Sequence, residues 1–299
     1  MMEKRLYGKT GMQVSVLGFG GAEIGFSSAS PEDVDKLLGS ALDAGLNVID
    51  TAECYNVSEE LIGKTVSHRR DDYYLFTKCG HASGFDLPDW DPKLLELSID
   101  RSLKRLNTDY IDVIHLHSCS EELLRRGEVI EVLQRVKEQG KTRFIGYSGD
   151  HKAAQYAVQS GLFDSLETSI NIADQEAIEL TIPVAIERGM GVVVKRPIAN
   201  AAWKTGQKPE SAYHHAYWDR LQQLKYDFLE TELQESIEVA LRFTLTVPGV
   251  HTAIVGTANP ARWLENAKLL ERGNLPEEAY ATIRKRWQEI AEADWIGKG

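Results

Sequence analysis

The chain has 299 residues, 42% of them hydrophobic and 26% charged, and a formal net charge of −11 at pH 7. That is ample material for one large core, and the acidic balance excludes nucleic acid and anionic membrane surfaces as natural partners. No apolar run approaches bilayer-spanning length, the polar start Met1-Met2-Glu3-Lys4-Arg5 predicts no signal peptide, and three cysteines without a framework fit a reducing cytoplasm.

Residues 4–19 alternate apolar and polar around Gly8 and Thr10-Gly11, which predicts a hairpin leading into a first strand, Ser15–Phe19. Gly20-Gly21 at its end let a backbone approach closely or simply turn the chain. Ser30-Pro31 opens a helix with the stripe Val34, Leu37, Leu38, Ala41 and Leu42, ended by Gly45. The run 46–49 reads as a buried strand. Helices are then predicted at 58–66, 93–106, 121–139, 151–160 and 174–188, and strands near 73–77, 110–116, 143–147, 165–169, 191–195 and 251–255. Gly140 and Gly189 stand where left-handed helix caps are expected. Eight strands, seven of them preceding a clear helix, with no linker composition between them, predict one closed parallel (β/α)8 barrel over 1–299.

Two stretches break the rhythm. The segment 200–230 carries Trp203, Tyr213, His214, His215, Tyr217 and Trp218, and the 80–92 loop carries Phe85 and Trp90. Loops at the carboxyl face of such a barrel line its active site. Trp90, Trp203, Tyr217 and Trp218 are therefore expected as substrate walls, with packing onto the rim as the alternative for any one of them.

Chemistry gathers at successive strand ends. Asp50 and Tyr55 follow the 46–49 strand, Lys78 the 73–77 strand, and His115 and His117 the next one. A phenol with a pKa near ~10 is a weak donor at neutral pH. A nearby ammonium would lower that value, a carboxylate would hold the ammonium, and an imidazole would orient a carbonyl oxygen. By alternation His115 and His117 point to one face, so periodicity does not choose between them.

Three stretches in order, Asp50-Thr51-Ala52-Glu53-Cys54-Tyr55, Thr77-Lys78 and Tyr110-Ile111-Asp112 followed by His117, resemble the aldo-keto reductase superfamily over nearly the whole chain. The resemblance implies an N-terminal hairpin capping the barrel floor, a nicotinamide cofactor held without a Rossmann domain, and interconversion of carbonyls and alcohols. It assigns the imidazole role to His117 and leaves His115 as a core histidine. It implies that Ser148 and Gly149 (in place of the family's asparagine) and Glu167 (in place of a glutamine) face the cofactor's carboxamide. In Lys195-Arg196-Pro197, Lys195 takes the place where many relatives stack a tyrosine on the nicotinamide, and Arg196 joins the expected cofactor residues. Gly21 also falls in the cofactor set.

The last cofactor element joins a strand to a helix through Gly256, Thr257, Asn259 and Arg262, with Asn259 as N-cap and Pro260 at the first helical position, and with Glu265 and Asn266 matching the family's close. A helix N-terminus receives phosphate, and Arg262 suits an adenosine phosphate, so NADP(H) is favoured and NAD(H) possible. The expected partner is a small carbonyl or alcohol substrate, in either direction of reaction. The other reading is a cofactor-sensing regulatory or scaffold subunit of the same fold. A zinc site at Cys79-Gly80-His81 and His117-Ser118-Cys119 would place one residue between ligands, tighter spacing than structural zinc favours. No metal is expected, and Cys54, Cys79 and Cys119 are read as small apolar filling.

Overall fold

The computed structural model describes residues 2–297. An antiparallel hairpin comes first, β1 (Lys4–Leu6) with β2 (Gln13–Ser15). Eight strands follow: β3 (Leu17–Gly20), β4 (Val48–Asp50), β5 (Tyr74–Cys79), β6 (Ile111–His117), β7 (Thr142–Ser148), β8 (Ser165–Ser169), β9 (Gly191–Lys195) and β10 (Thr252–Gly256). They are all parallel and close in the order β10-β3-β4-β5-β6-β7-β8-β9, with β9 returning to β10. The chain is a (β/α)8 barrel with an N-terminal hairpin.

The hairpin is the barrel's floor. Its Tyr7, Met12 and Val14 are fully buried against Val48, Phe76, Val113, Val193 and Ile254, which are inward-facing residues of five strands. The Tyr7 hydroxyl meets Ser165 Oγ on β8 at 2.5 Å, so even the polar tip is satisfied inside. The expected strand Ser15–Phe19 in fact straddles two sheets. Ser15 and Asn47 exchange hydrogen bonds, Ser15 N donating to Asn47 Oδ1 at 2.6 Å and Asn47 N to Ser15 Oγ at 3.1 Å. That link ends the hairpin, and the barrel resumes at Leu17.

Gly140 and Gly189 adopt φ of +76° and +66°, as a left-handed cap requires. Two long helices predicted as single are each broken. Residues 121–139 form Glu121–Arg126 and Glu128–Glu138, interrupted by Gly127 at φ +87°. Residues 174–188 form Glu176–Leu180 and Ile182–Arg188, because Thr181 leaves helical geometry and Pro183 has no N–H to continue the ladder. Nor is 200–230 a bare loop. It carries the helix His215–Leu224, folded over a second core that includes Trp203, Tyr217, Leu221, Phe243 and Trp287.

Candidate active site

The strands run one or two residues further than periodicity alone indicates, and this places the chemistry. Asp50 ends β4, Lys78 is next to last in β5, and His117 ends β6. Lys78 donates inside the barrel to Asp50 Oδ1 at 2.5 Å and to the Thr51 carbonyl at 2.9 Å, and it forms an ion pair with Glu167 Oε2 of β8 at 3.2 Å. All three charged side chains are buried.

Tyr55 is delivered by the turn after β4. Thr51 Oγ1 bonds Ser58 Oγ at 2.8 Å, Glu53 N donates to the Lys78 carbonyl at 3.2 Å, and the buried Glu53 carboxylate is paired with Arg101. Gly25 lets the neighbouring segment pass, since a Cβ there would lie 2.2 Å from the Tyr55 carbonyl. The Tyr55 ring centroid sits 5.5 Å from Lys78 Nζ and 5.7 Å from the His117 ring, which is nearly perpendicular to it at 78°. The structure thus gathers Asp50, Tyr55, Lys78 and His117 at one end of adjacent strands.

Electrostatically the site is more acidic than the motif implies. Two carboxyls compete for one ammonium. Burial and the charge of Glu167 push Asp50 well above the usual carboxylate range. Burial would raise Glu167 too, but Lys78 and nearby imidazoles hold it down at about 2. Burial alone would depress Lys78, yet Asp50 and Glu167 together keep it above the ordinary lysine range. Tyr55 differs from the sequence expectation: burial raises its pKa, and the lowering effect of Lys78 is outweighed because Asp50 and Glu167 offset that charge. The phenol is therefore held protonated across the neutral range. Burial and Lys78 keep His117 neutral, well below its usual value.

His115 behaves as a core residue. It is buried, its Nε2 meets Ser165 Oγ at 2.8 Å, and burial lowers it to about 4.

The residues expected at a cofactor fall into two groups. Around the ends of β7 to β9, Ser148, the last residue of β7, has a buried Oγ with no hydrogen-bond partner. Gly149, Lys195 and Arg196 surround Asp150. Lys195 Nζ lies 3.1 Å from Asp150 Oδ2, and Arg196 donates to Ser169 Oγ at 2.9 Å and to the Tyr213 hydroxyl at 2.7 Å. Glu167 is ion-paired with Lys78 at 3.2 Å while its Oε2 has no hydrogen-bond partner, a pairing that the sequence does not signal, nor does it signal Asp150. An acid inside the short buried run Ser165–Ser169 marks Glu167 itself but not its partner.

At the β10 end, the strands approach closely. A Cβ on Gly256 would come within 3.1 Å of the Gly20 carbonyl, and the Gly21 N–H donates to the Asp50 carbonyl at 2.7 Å. The helix here begins at Arg262, not Pro260. Asn259 instead closes a turn, accepting from Ala261 N at 3.0 Å, while Thr257 Oγ1 accepts from Asn259 N at 3.0 Å. Arg262 is half exposed and pairs with Glu265 at 3.1 Å; Asn266 is buried behind them.

Of the expected substrate walls, only Trp90 stands beside the site. It is held at φ +69° over Gly80, edge-on to His81 at 5.3 Å, and His81 in turn faces His117 at 5.2 Å. Trp203 and Tyr217 are 8% and 0% exposed and belong to the second core, with Trp218 packed against it, so these three do not form an open wall. Tyr217 donates to Asp174 at 3.2 Å and Trp203 to Ser236 at 2.8 Å. Helical burial consumed aromatics that composition alone could not tell from pocket lining.

A sequence model of the Aldo/keto reductase family matches residues 16–288. The L-galactose dehydrogenase of Arabidopsis thaliana is 28% identical over 98% of this chain and 97% of its own. A putative voltage-gated potassium channel subunit beta from Schizosaccharomyces pombe is 26% identical over 89% and 88%. Among solved structures, an aldo-keto reductase from Bacillus halodurans in its holo form superposes with a TM-score of 0.83 at 27% identity, over 99% of both chains. No helix among the described residues is long and apolar enough to cross a membrane.

Proposed function

The chain belongs to the aldo/keto reductase family, and we propose that it is an NAD(P)(H)-dependent oxidoreductase interconverting a carbonyl and an alcohol, with the whole chain acting as one domain. The observation that carries this reading is the buried Asp50–Lys78–Glu167 ion network beneath Tyr55 and His117. The nicotinamide, when bound, supplies or takes the hydride. The unpartnered Ser148 Oγ fits its carboxamide, with Gly149, Glu167, Lys195 and Arg196 around it, and the turn at Gly256, Thr257 and Asn259 with Gly21 and Arg262 fits its phosphates.

In this reading Tyr55 works as the acid in reduction. Its phenol stays protonated at neutral pH and is matched to an alkoxide-like oxygen, which is far more basic than the carbonyl it develops from. Lys78 stabilises the phenolate left behind, and Asp50 with Glu167 keeps Lys78 charged and fixed. Neutral His117 donates a hydrogen bond that orients the carbonyl oxygen without competing for its proton. Oxidation runs the same steps backwards. NADP(H) is favoured over NAD(H) because Arg262 offers a fork-shaped donor at a helix start. A cytoplasmic setting goes with the same reading.

A channel-beta relative gives the regulatory alternative a specific footing. Turnover of aldehydes, ketones and aldoses, including L-galactose in the oxidative direction, followed at the nicotinamide absorbance, decides between them. Saturable turnover supports the enzyme. Tight cofactor binding with no turnover on any member of the panel favours the regulatory subunit.

A further inference from the structure

We propose that Cys54, His81 and His117 form a binding site for one zinc-like divalent cation beside Tyr55 at the strand ends. The three come from the ends of three successive strands, Cys54 and His81 in the loops after β4 and β5 and His117 at the end of β6, and one ligand atom from each lies within 4.8 Å of the others. Cys54 Sγ is 3.4 Å from His117 Nδ1. A thiolate and an imidazole on one tetrahedral zinc, at about 2.3 and 2.0 Å from the metal, stand roughly 3.5 Å apart, so this pair already has the spacing. No pair has to close by more than about 1.5 Å.

His81 carries the second, independent sign. Its Nδ1 is held by Asp89 Oδ2 at 2.9 Å, and the other carboxylate oxygen of Asp89 accepts from Ala82 N at 2.8 Å. A carboxylate on one imidazole nitrogen fixes the ring and leaves Nε2 as the ligand, the arrangement that orients metal-binding histidines. One thiolate and two imidazoles suit zinc or cobalt(II) rather than magnesium or calcium. Lys78 is not a barrier to a cation there, because two carboxyls already answer its charge.

Asp50, His115 and Glu167 also lie within 4.8 Å of one another, but the Lys78 ammonium bonds Asp50 and Glu167 there. The sequence pairs Cys79–His81 and His117–Cys119 are not the cluster: Cys79 is buried and turned to the His115 carbonyl at 3.7 Å.

Binding forms two metal–nitrogen bonds and one metal–sulfur bond and releases the Cys54 proton to solvent. The fourth position is left for water. Because the cation takes His117, it competes with a carbonyl oxygen, and zinc is expected to act as a reversible inhibitor. That last consequence rests on the proposed function; the binding itself does not.

The test is a titration of the full chain with cobalt(II), read by its thiolate charge-transfer band, followed by displacement with zinc. One equivalent should bind with the band present. The band should vanish in Cys54→Ala, and affinity should fall about 10- to 100-fold in Asp89→Asn, the usual effect of losing such a carboxylate. Asp89 is exposed, so that variant keeps its fold. No band in the parent, a band surviving in Cys54→Ala, or unchanged affinity in both His81→Ala and Asp89→Asn overturns the proposal. A chain that binds cobalt in this way but turns over no substrate leaves the site standing and removes the proposed function.

Discussion

Lys78→Met removes the ammonium from a buried cluster that keeps two carboxyls. Asp50 at 2.5 Å and Glu167 at 3.2 Å both lose their partner, and both are at most 2% exposed. Breaking a buried pair in this way costs about 3–5 kcal/mol, because the stranded charge must be dehydrated or protonated. The sign with pH follows from Glu167. In the parent its pKa is depressed to about 2, so its stabilisation is complete above the unfolded value near 4.5 and is lost only as pH falls through about 2. In the variant burial raises it, so stability now falls as pH rises through the unfolded value. The gap between parent and variant should therefore widen from pH 5 to pH 8. Urea unfolding at both pH values, followed by tryptophan fluorescence and circular dichroism, measures it. Glu167→Gln should destabilise the parent, where the ionised carboxylate is held by Lys78, but should recover part of the loss in Lys78→Met, where it removes a stranded charge. A loss under ~1 kcal/mol, or no pH dependence and no recovery, would refute the reasoning.

Asp174→Asn should stabilise the protein at pH 8. Burial and Asp150 push Asp174 up to about 7 despite Arg220 at 4.0 Å, so the parent loses about 4 kcal/mol as pH rises from about 4 to about 7, and melts of the variant should lack that fall. His117→Ala should lower turnover with little effect on stability, whereas His115→Ala, which empties a buried site beside Ser165, should cost about 2–4 kcal/mol with cofactor binding kept; kinetics and melts of both variants separate the roles. Arg262→Ala should weaken NADPH binding by about tenfold, the low end for a charge-assisted bond at a half-exposed site, and NADH binding much less. Fluorescence titrations with both cofactors read the difference, and equal losses would reduce Arg262 to a shared contact.

The barrel was legible because its signals are local. Eight apolar runs alternate with helix stripes, glycines end several of the helices, and right-handed βα connection leaves few other closures. The strand-end motifs located Asp50, Tyr55, Lys78 and His117 for the same reason. What was not legible depends on contacts between distant segments. Glu167 reaches Lys78 across the barrel, and nothing along the chain says that a second carboxylate would cancel the ammonium's pull on Tyr55. Trp203 and Tyr217 look like pocket aromatics until the helix His215–Leu224 folds them into a second core. Spacing rules for metal ligands see only neighbours in sequence, so Cys54, His81 and His117, drawn from the ends of three strands, were invisible to them. Gly127 and Pro183 were visible as breakers, but amphipathic patterns running through both hid the breaks.

The most direct test of the account is Tyr55→Phe. The substitution removes one hydroxyl from a ring whose place is set by the Glu53–Arg101 anchor and the Thr51–Ser58 hydrogen bond rather than by that hydroxyl. Steady-state turnover is measured against the parent on the best substrate of the panel, with cofactor affinity titrated in parallel. The account predicts unchanged cofactor binding and turnover lowered by about two to four orders of magnitude, the range a positioned acid supplies. Near-parent turnover with cofactor bound would contradict it and move the proton donor to another group.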